Sequence, residues 1–314
     1  MLGRTAHDLY WLSRYIERAE NMARLMDVGY RIGLIPRSAG RHQEWHSTLK
    51  STGCAKGYYE KHEKLDARAV VNYLLVDQDN PSSVRSCLAA ARNNGRAQRT
   101  AITSDMWESL NQTYLEFSRL NPAGIRLSEL PDILLWVKQR SALFRGTLLN
   151  TLLRRDGFYF SQLGTFIERA DNTARIIDVK YYLLLPQNEI VGGGIDNYQW
   201  SAILRSVSAH RSYKWTYQES YKPWRIAEYI ILNPEMPRSL RFCSNEISEA
   251  LESLAHDYGG RHACHRVAED LKRPLAATTI TPIFQTGLHE FLVEFLGRNN
   301  QLGSEIAEAY HFVS

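Results

Sequence analysis

The chain has 314 residues, 44% of them hydrophobic, with seven Trp and a formal net charge of +4. That is enough apolar material for a large core, in one domain or in two intimately packed halves. The slight, evenly spread positive charge argues against nucleic acid, whose partners carry a basic patch or stripe, and no stretch approaches the uncharged run of about 20 residues that a membrane span needs. Met1 to Asp8 lacks the apolar core of a secretory signal, so a cytoplasmic protein that does not bind membranes is expected. Cys54, Cys87, Cys243 and Cys264 stand far apart without a CxxC pair, as reduced structural thiols would.

Taken in chain order, nearly every segment has helical period and helical punctuation, and alternating runs bounded by hairpin turns are scarce. Thr5 and Asp8 resemble a capping box opening a long helix that stops at Leu34-Ile35-Pro36. Asn80 before Pro81 predicts a further helix start, as do Ser104 and Ser128. An amphipathic stretch from about Leu130 to Arg155 leads through Asp156 to Gly157, the natural break and the expected seam of the molecule. Beyond it a long helix is expected to stop at Leu184-Leu185-Pro186, with later starts at Lys222-Pro223 and at Asn233-Pro234 or Met236-Pro237. Gly192-Gly193-Gly194 lacks the preceding strand and following Lys-Ser/Thr of a phosphate loop and reads as a turn.

One stretch occurs twice. Between Arg14 to Tyr30 and Thr165 to Tyr181, ten of seventeen positions are identical and four more are conservative, where chance would give about one. The echo extends outside this motif. Asn72-Tyr73-Leu74-Leu75 with Pro81-Ser82-Ser83 and Cys87 answers to Glu228-Tyr229-Ile230-Ile231 with Pro237-Arg238-Ser239 and Cys243, and Trp45, Leu49 and Ser51 answer to Trp200, Leu204 and Ser206. The spacing implies a tandem duplication of a unit of roughly 155 residues, too long for a solenoid repeat and long enough for a helical bundle. The expected fold is therefore all-α, with halves 1–156 and 157–314 packed as a pseudo-twofold single-chain assembly. Cys87 and Cys243 fall at matched places in an apolar helix pattern, as small core residues would.

At 100° per residue, Leu12, Tyr15, Ile16, Ala19, Met22, Ala23, Met26 and Tyr30 share one arc of the first motif helix. Arg14, Glu17, Arg18, Asn21 and Arg24 share another, repeated by Glu168, Arg169, Asn172 and Arg175, while Arg14 becomes Thr165 and Met22 becomes Thr173. Glu20 and Arg24, and Asp171 and Arg175, are acid-before-base pairs four residues apart, the favourable orientation. A solvated face usually exchanges Lys for Arg or Gln for Glu, yet here the types have not drifted. Two readings follow: buried Glu-Arg pairs that hold two helices together, or a polar cleft in which Arg18, Arg24, Arg169 and Arg175 clamp a carboxylate or phosphate. Other candidates carry less. His262-Ala263-Cys264-His265 has no second cluster to complete a metal site, and Arg92, Arg96 and Arg99 form a helical stripe that is either solvated or extends a basic face toward an anionic ligand. No nucleophile elbow, HExxH or GxGxxG is present, so no cofactor is expected.

The run Tyr10-Trp11-Leu12-Ser13-Arg14-Tyr15-Ile16-Glu17-Arg18-Ala19-Glu20-Asn21-Met22-Ala23-Arg24 resembles the signature of the bacterial alpha-E domain family, an all-helical domain with a Glu-Arg motif. Leu75-Val76-Asp77, Asn80 to Val84, Ala91-Arg92-Asn93 and Trp107 to Asn111 fall where that family has its next motifs, so the resemblance covers the whole chain; Gly95 departs from it, where a better helix former is expected. Members are typically encoded beside, or fused to, ATP-grasp and transglutaminase-like proteins. The resemblance thus implies amide-bond synthesis or peptide modification, with Glu17, Arg18, Glu168 and Arg169 as the name-giving motif. The expectation is a non-catalytic accessory protein binding a partner enzyme or its peptide substrate. The alternatives are an enzyme with Glu17 or Glu168 as general acid or base on an anionic or peptide substrate, and a purely structural pseudo-dimer.

Overall fold

The computed structural model describes residues 1–34, 43–121, 125–182, 193–218 and 221–312, whose regular elements are all helices, with no strand among them. The first helix, α1 (Gly3–Gly33), is followed by α2 (Gln43–Ser51), α3 (Ala55–Lys61), α4 (Ala67–Leu75), α5 (Val84–Ala97), α6 (Ser104–Ser118) and α7 (Leu130–Thr151). The second long motif helix, α8 (Asp156–Tyr182), is followed by α9 (Gly194–Ser206), α10 (His210–Tyr217), α11 (Pro223–Leu232), α12 (Leu240–Tyr258), α13 (Ala263–Ala277), α14 (Ile280–Thr286) and α15 (Leu288–Ala309). No helix among the described residues is long and apolar enough to cross a membrane.

The two motif helices form the centre. α1 packs along α8, α5 and α7 flank α1, and α12 and α15 flank α8. Apolar burial follows this arrangement. One cluster joins α1 to side chains of α2 through α7 with Phe158, and the other joins α8 to α9 through α15. Ala6, Tyr10, Leu25, Val28 and Ile32 of α1 belong to the second cluster, so α1 is a wall of both. It has two apolar stripes, and the polar arc of Glu17, Asn21 and Arg24 between them is buried too. Gly164 explains how close the two helices come: a Cβ there would sit 2.1 Å from the carbonyl oxygen of Tyr10.

Several helix starts differ from the sequence expectation for a common reason, that a hydroxyl next to the helix outcompetes the Asn-Pro step. α5 begins after Ser83, whose Oγ accepts the Ser86 N–H, and α12 begins after Ser239, whose Oγ accepts the Phe242 N–H. Asn80 and Asn233 instead use their side chains to cap the preceding turns, accepting the N–H groups of Ser82 and of Glu235 and Met236. Thr5 and Asp8 form no capping box. α1 opens without a side-chain cap, and both residues hydrogen-bond Gln98 at the end of α5. Ser104 and Pro223 do open helices, capped by Thr103 and preceded by Lys222, and Ser128 lies in a 3-10 turn leading into α7. The expected break at Gly157 lies instead at residues 152–155, with Gly157 in the first turn of α8. Gly193 caps α9, whereas Gly192, Ile35-Pro36 and Leu184-Leu185-Pro186 lie outside the described residues. Gly95 lies where α5, α6 and α1 converge, and a Cβ there would approach Leu110 Cδ2 to 2.6 Å and Leu12 Cδ1 to 3.2 Å, so a larger residue would make both leucines shift.

Candidate functional site

Both Glu-Arg pairs point across the α1–α8 interface and pair reciprocally. Arg169 on α8 straddles Glu17 on α1, with Nε and Nη2 each 3.1 Å from a carboxylate oxygen. Arg18 on α1 straddles Glu168 on α8 at 2.5 and 2.9 Å. Asn21 adds a bond from its amide to the carbonyl of Glu168 at 3.1 Å. Each guanidinium meets its carboxylate through Nε and Nη2 together, a two-point fork that a Lys ammonium cannot offer, which explains why Arg rather than Lys serves here.

The two pairs end in different surroundings. Around Glu17 the space is filled. Arg145 from α7 reaches Glu17 at 2.8 Å and Glu20 at 2.6 Å, Arg238 from the turn before α12 reaches Glu17 at 2.8 Å and also pairs with Glu20, and Arg24 holds Glu20 at 2.6 and 2.8 Å. Arg24 also donates to the carbonyl of Ser206 on α9. Glu17 and Glu20 are 1% and 0% exposed. Burial pushes the Glu17 carboxyl upward, but Arg169, Arg238 and Arg145 overcome it and hold the pKa at about 2; Glu20 is likewise held well below its usual range.

Around Glu168 the space is open. Arg14 and Arg18 cover the carboxylate, with Arg14 Nε at 2.9 Å, and Arg175 pairs with Asp171 at 2.6 Å while donating to the carbonyl of Ser51 on α2 at 3.3 Å. Beside them lies a cavity of about 240 Å³ lined by these charged groups together with Asn21, Asn172, Asn300, Ser82, Thr52, Met22 and Leu25. Asn172 is 3% exposed, and neither its amide nitrogen nor its oxygen has a hydrogen-bond partner among the described residues. Its donor and its acceptor are therefore both available to a polar group in the cavity. Glu168 also stays ionised: burial raises its pKa, and Arg18 and Arg14 bring it down to about 2.

The structure thus divides the nine residues of the sequence-derived face. Glu17, Arg24 and Arg169 belong to the closed cluster, while Arg14, Arg18, Asn21, Glu168, Asn172 and Arg175 line the open one. The single four-arginine clamp of Arg18, Arg24, Arg169 and Arg175 does not form, because Arg24 and Arg169 face one side of the seam and Arg18 and Arg175 the other. Arg145 and Arg238 were not legible as site residues. Arg145 sits in an amphipathic helix with nothing to mark it, whereas Arg238 could have been noticed as the departure from Ser82 between repeated Pro and Ser neighbours.

The remaining candidates have local explanations. Arg92 ties α5 to α6 through Asn111 at 2.8 Å and lies 4.8 Å from the Tyr114 ring centre, and Arg99 lies over Trp107. His265 closes the start of α13, its Nδ1 accepting the His262 N–H at 2.9 Å and its Nε2 facing the carbonyl of Leu251 at 3.0 Å. All four cysteines are free and buried.

No protein of curated function and no solved structure matches the chain. A family model described as a predicted alpha-helical domain with a conserved ER motif matches residues 1–311. That span includes both Glu17-Arg18 and Glu168-Arg169, the residues that join α1 to α8, and the chain belongs to the Alpha-E family.

Proposed function

We propose that this protein is a non-catalytic helical accessory protein of the cytoplasm, binding a partner enzyme or that enzyme's peptide substrate in an amide-bond-forming or peptide-modifying system of ATP-grasp and transglutaminase-like proteins. The open Glu168 cluster is its binding site. The observation that carries this reading is the cavity between the motif helices with the buried, unpartnered amide of Asn172 in its wall. Both the donor and the acceptor of that amide are available to a polar group entering the cavity. The partner class rests on the family resemblance.

An acid or base role for the motif is disfavoured by the same geometry. A carboxylate held near pKa 2 by two or three guanidiniums is almost never protonated at neutral pH and is a poor acceptor of a proton. The purely structural alternative fits the closed cluster, where every charge faces another.

We also propose that the chain is a tandem duplication whose halves, 1–156 and 157–314, are related by a pseudo-twofold axis through the α1–α8 seam. Matched contacts support it. Arg24 donates to Ser206 as Arg175 donates to Ser51, and Ser141 on α7 donates to the carbonyl of Ile16 as Asn299 on α15 donates to that of Ile167. On this register Arg238 corresponds to Ser82, and Arg145 to Gly303. Arg14, whose counterpart is Thr165, supplies to Glu168 the charge that Arg145 supplies to Glu17.

The test is capture of partners from the native cells by the tagged chain, followed by mass spectrometry, with Ser82→Arg as the variant that fills the cavity. Recovery of an ATP-grasp or transglutaminase-like protein by the natural chain and not by a folded Ser82→Arg chain is the expected result. Equal recovery by both removes the cavity from the interface, and recovery by neither refutes the accessory reading.

A further inference from the structure

We infer that the open cluster is a receptor for a carboxylate on a short aliphatic stem, held by Arg14, Arg18 and the amide of Asn172 in the place that Arg238 fills in the closed cluster. This rests on the reading of the cavity as a binding site and adds the chemistry of what enters it.

The two clusters contain nearly the same charges. The closed one has two carboxylates, Glu17 and Glu20, facing the guanidiniums of Arg24, Arg145, Arg169 and Arg238. The open one has two, Glu168 and Asp171, facing Arg14, Arg18 and Arg175. A guanidinium is absent where Ser82 stands, and shape alone would suggest a cationic ligand. Electrostatics decides against it. Burial, with repulsion from Arg24 and Arg169, lowers Arg238 to about 10 despite the attraction of Glu20 and Glu17. In the open cluster a cation would meet Arg14, Arg18 and Arg175, which already cover and outnumber the two acids, with no tether to hold it there.

An anion meets the reverse. Arg18 spends Nε and Nη2 on Glu168, and Arg14 spends Nε on Glu168 and Nη1 on Tyr10. Arg18 Nη1 and Arg14 Nη2 therefore have no hydrogen bond to the described residues. Asn172 offers a further donor. Both acids of the cavity are already covered, Glu168 by three guanidinium bonds and Asp171 by Arg175 at 2.6 and 3.3 Å. Three arginines against two acids leave one net positive charge among these lining groups, which one carboxylate neutralises and a phosphate dianion overshoots. Met22 and Leu25 give the remaining wall an apolar surface for the stem, and the cavity of about 240 Å³ has room for more than a carboxylate alone. A peptide carries such a group at its C-terminus and on Asp and Glu side chains.

The experiment measures thermal stability and calorimetric binding of the full chain, at constant ionic strength, with five probes. N-acetyl-glycylglycine presents a C-terminal carboxylate, N-acetyl-glutamate amide and N-acetyl-aspartate amide side-chain carboxylates, inorganic phosphate a dianion, and methylguanidinium the cation of the closed cluster. The expected result is saturable binding of a carboxylate probe, with a melting temperature that climbs with the logarithm of its concentration. Which carboxylate binds identifies the source. Affinity is expected to fall at least tenfold in Ser82→Arg, which fills the cavity, and in Asn172→Asp, which keeps its size and reverses its polarity. If Ser82→Arg does not fold, Asn172→Asp decides. Binding of phosphate or methylguanidinium in preference to every carboxylate, binding of no probe, or binding unchanged in the folded variants overturns the inference. Loss of partner capture in Ser82→Arg without carboxylate binding would overturn the carboxylate and spare the cavity reading; carboxylate binding with partner capture intact would do the opposite.

Discussion

Glu17→Gln tests the division of the motif into a closed and an open cluster. The substitution conserves shape, so its cost is that of removing one charge from a site where it meets Arg169, Arg145 and Arg238 at 2.8 to 3.1 Å. A Gln amide keeps one acceptor and turns a donor toward a guanidinium, leaving Glu20 as the sole carboxylate facing three buried arginines, Arg24, Arg169 and Arg238, and the partly exposed Arg145. Stranding a buried partner in this way costs about 3–5 kcal/mol. With an unfolding entropy near 2.1 cal/mol/K per residue, a chain of 314 residues loses roughly 5–8 °C of melting temperature. Glu168→Gln removes the equivalent charge beside the cavity, where water can reach the released arginines, and should cost about 1–2 kcal/mol, or roughly 2–3 °C. Melting followed by circular dichroism at 222 nm, with both variants at the same pH and salt, provides the comparison. A loss for Glu168→Gln equal to or larger than that for Glu17→Gln would refute the distinction between the clusters.

Three further outcomes are expected. The folded pKa values of Glu17 and Glu168 lie near 2, below the 4.5 of an unperturbed Glu, so the stability they contribute is fully present above about pH 4.5 and lost as pH falls toward 2; urea unfolding at stepped pH should show it, and stability that rises on acidification over that window would contradict it. Gly164→Ala places a methyl group 2.1 Å from the Tyr10 carbonyl, so α1 and α8 must separate, at a cost of about 3 kcal/mol or more; denaturant melting within 1 kcal/mol of the natural chain would show that the seam can yield. Burial raises the thiol pKa to about 12 for Cys87 and Cys243 and to about 11 for Cys264, and also raises that of Cys54. A maleimide should therefore label none of them in the folded protein at pH 7 and all four after unfolding, as read by intact mass.

The repeated motif shows both the reach and the limit of reading this chain as a sequence. Ten identities in seventeen positions were enough to single out Glu17-Arg18 and Glu168-Arg169, because local spacing on a helix is fixed by 3.6 residues per turn. The pairs of Glu20 with Arg24 and Asp171 with Arg175 were legible for the same reason, and the structure contains both. What each Glu meets across the seam was not legible. Arg169 reaches Glu17 from more than a hundred residues away, and Arg145 and Arg238 arrive from two further elements. Helix starts failed where competing caps were close together, as at Asn80 and Ser83, since each offers a side-chain oxygen within three residues and only packing chooses between them.

Hydrophobic period and helix punctuation determined that the chain is all-helical, and the family motif was visible in its first thirty residues, because these depend on near neighbours. Tertiary structure decided that the polar arc of α1 is buried rather than solvated, because α8 covers it at a distance that Gly164 permits. It also decided that two similar motifs have unlike surroundings. The difference lies in side chains arriving from distant elements: Arg145 and Arg238 fill the space around Glu17, whereas Ser82 is too short to fill the space around Glu168.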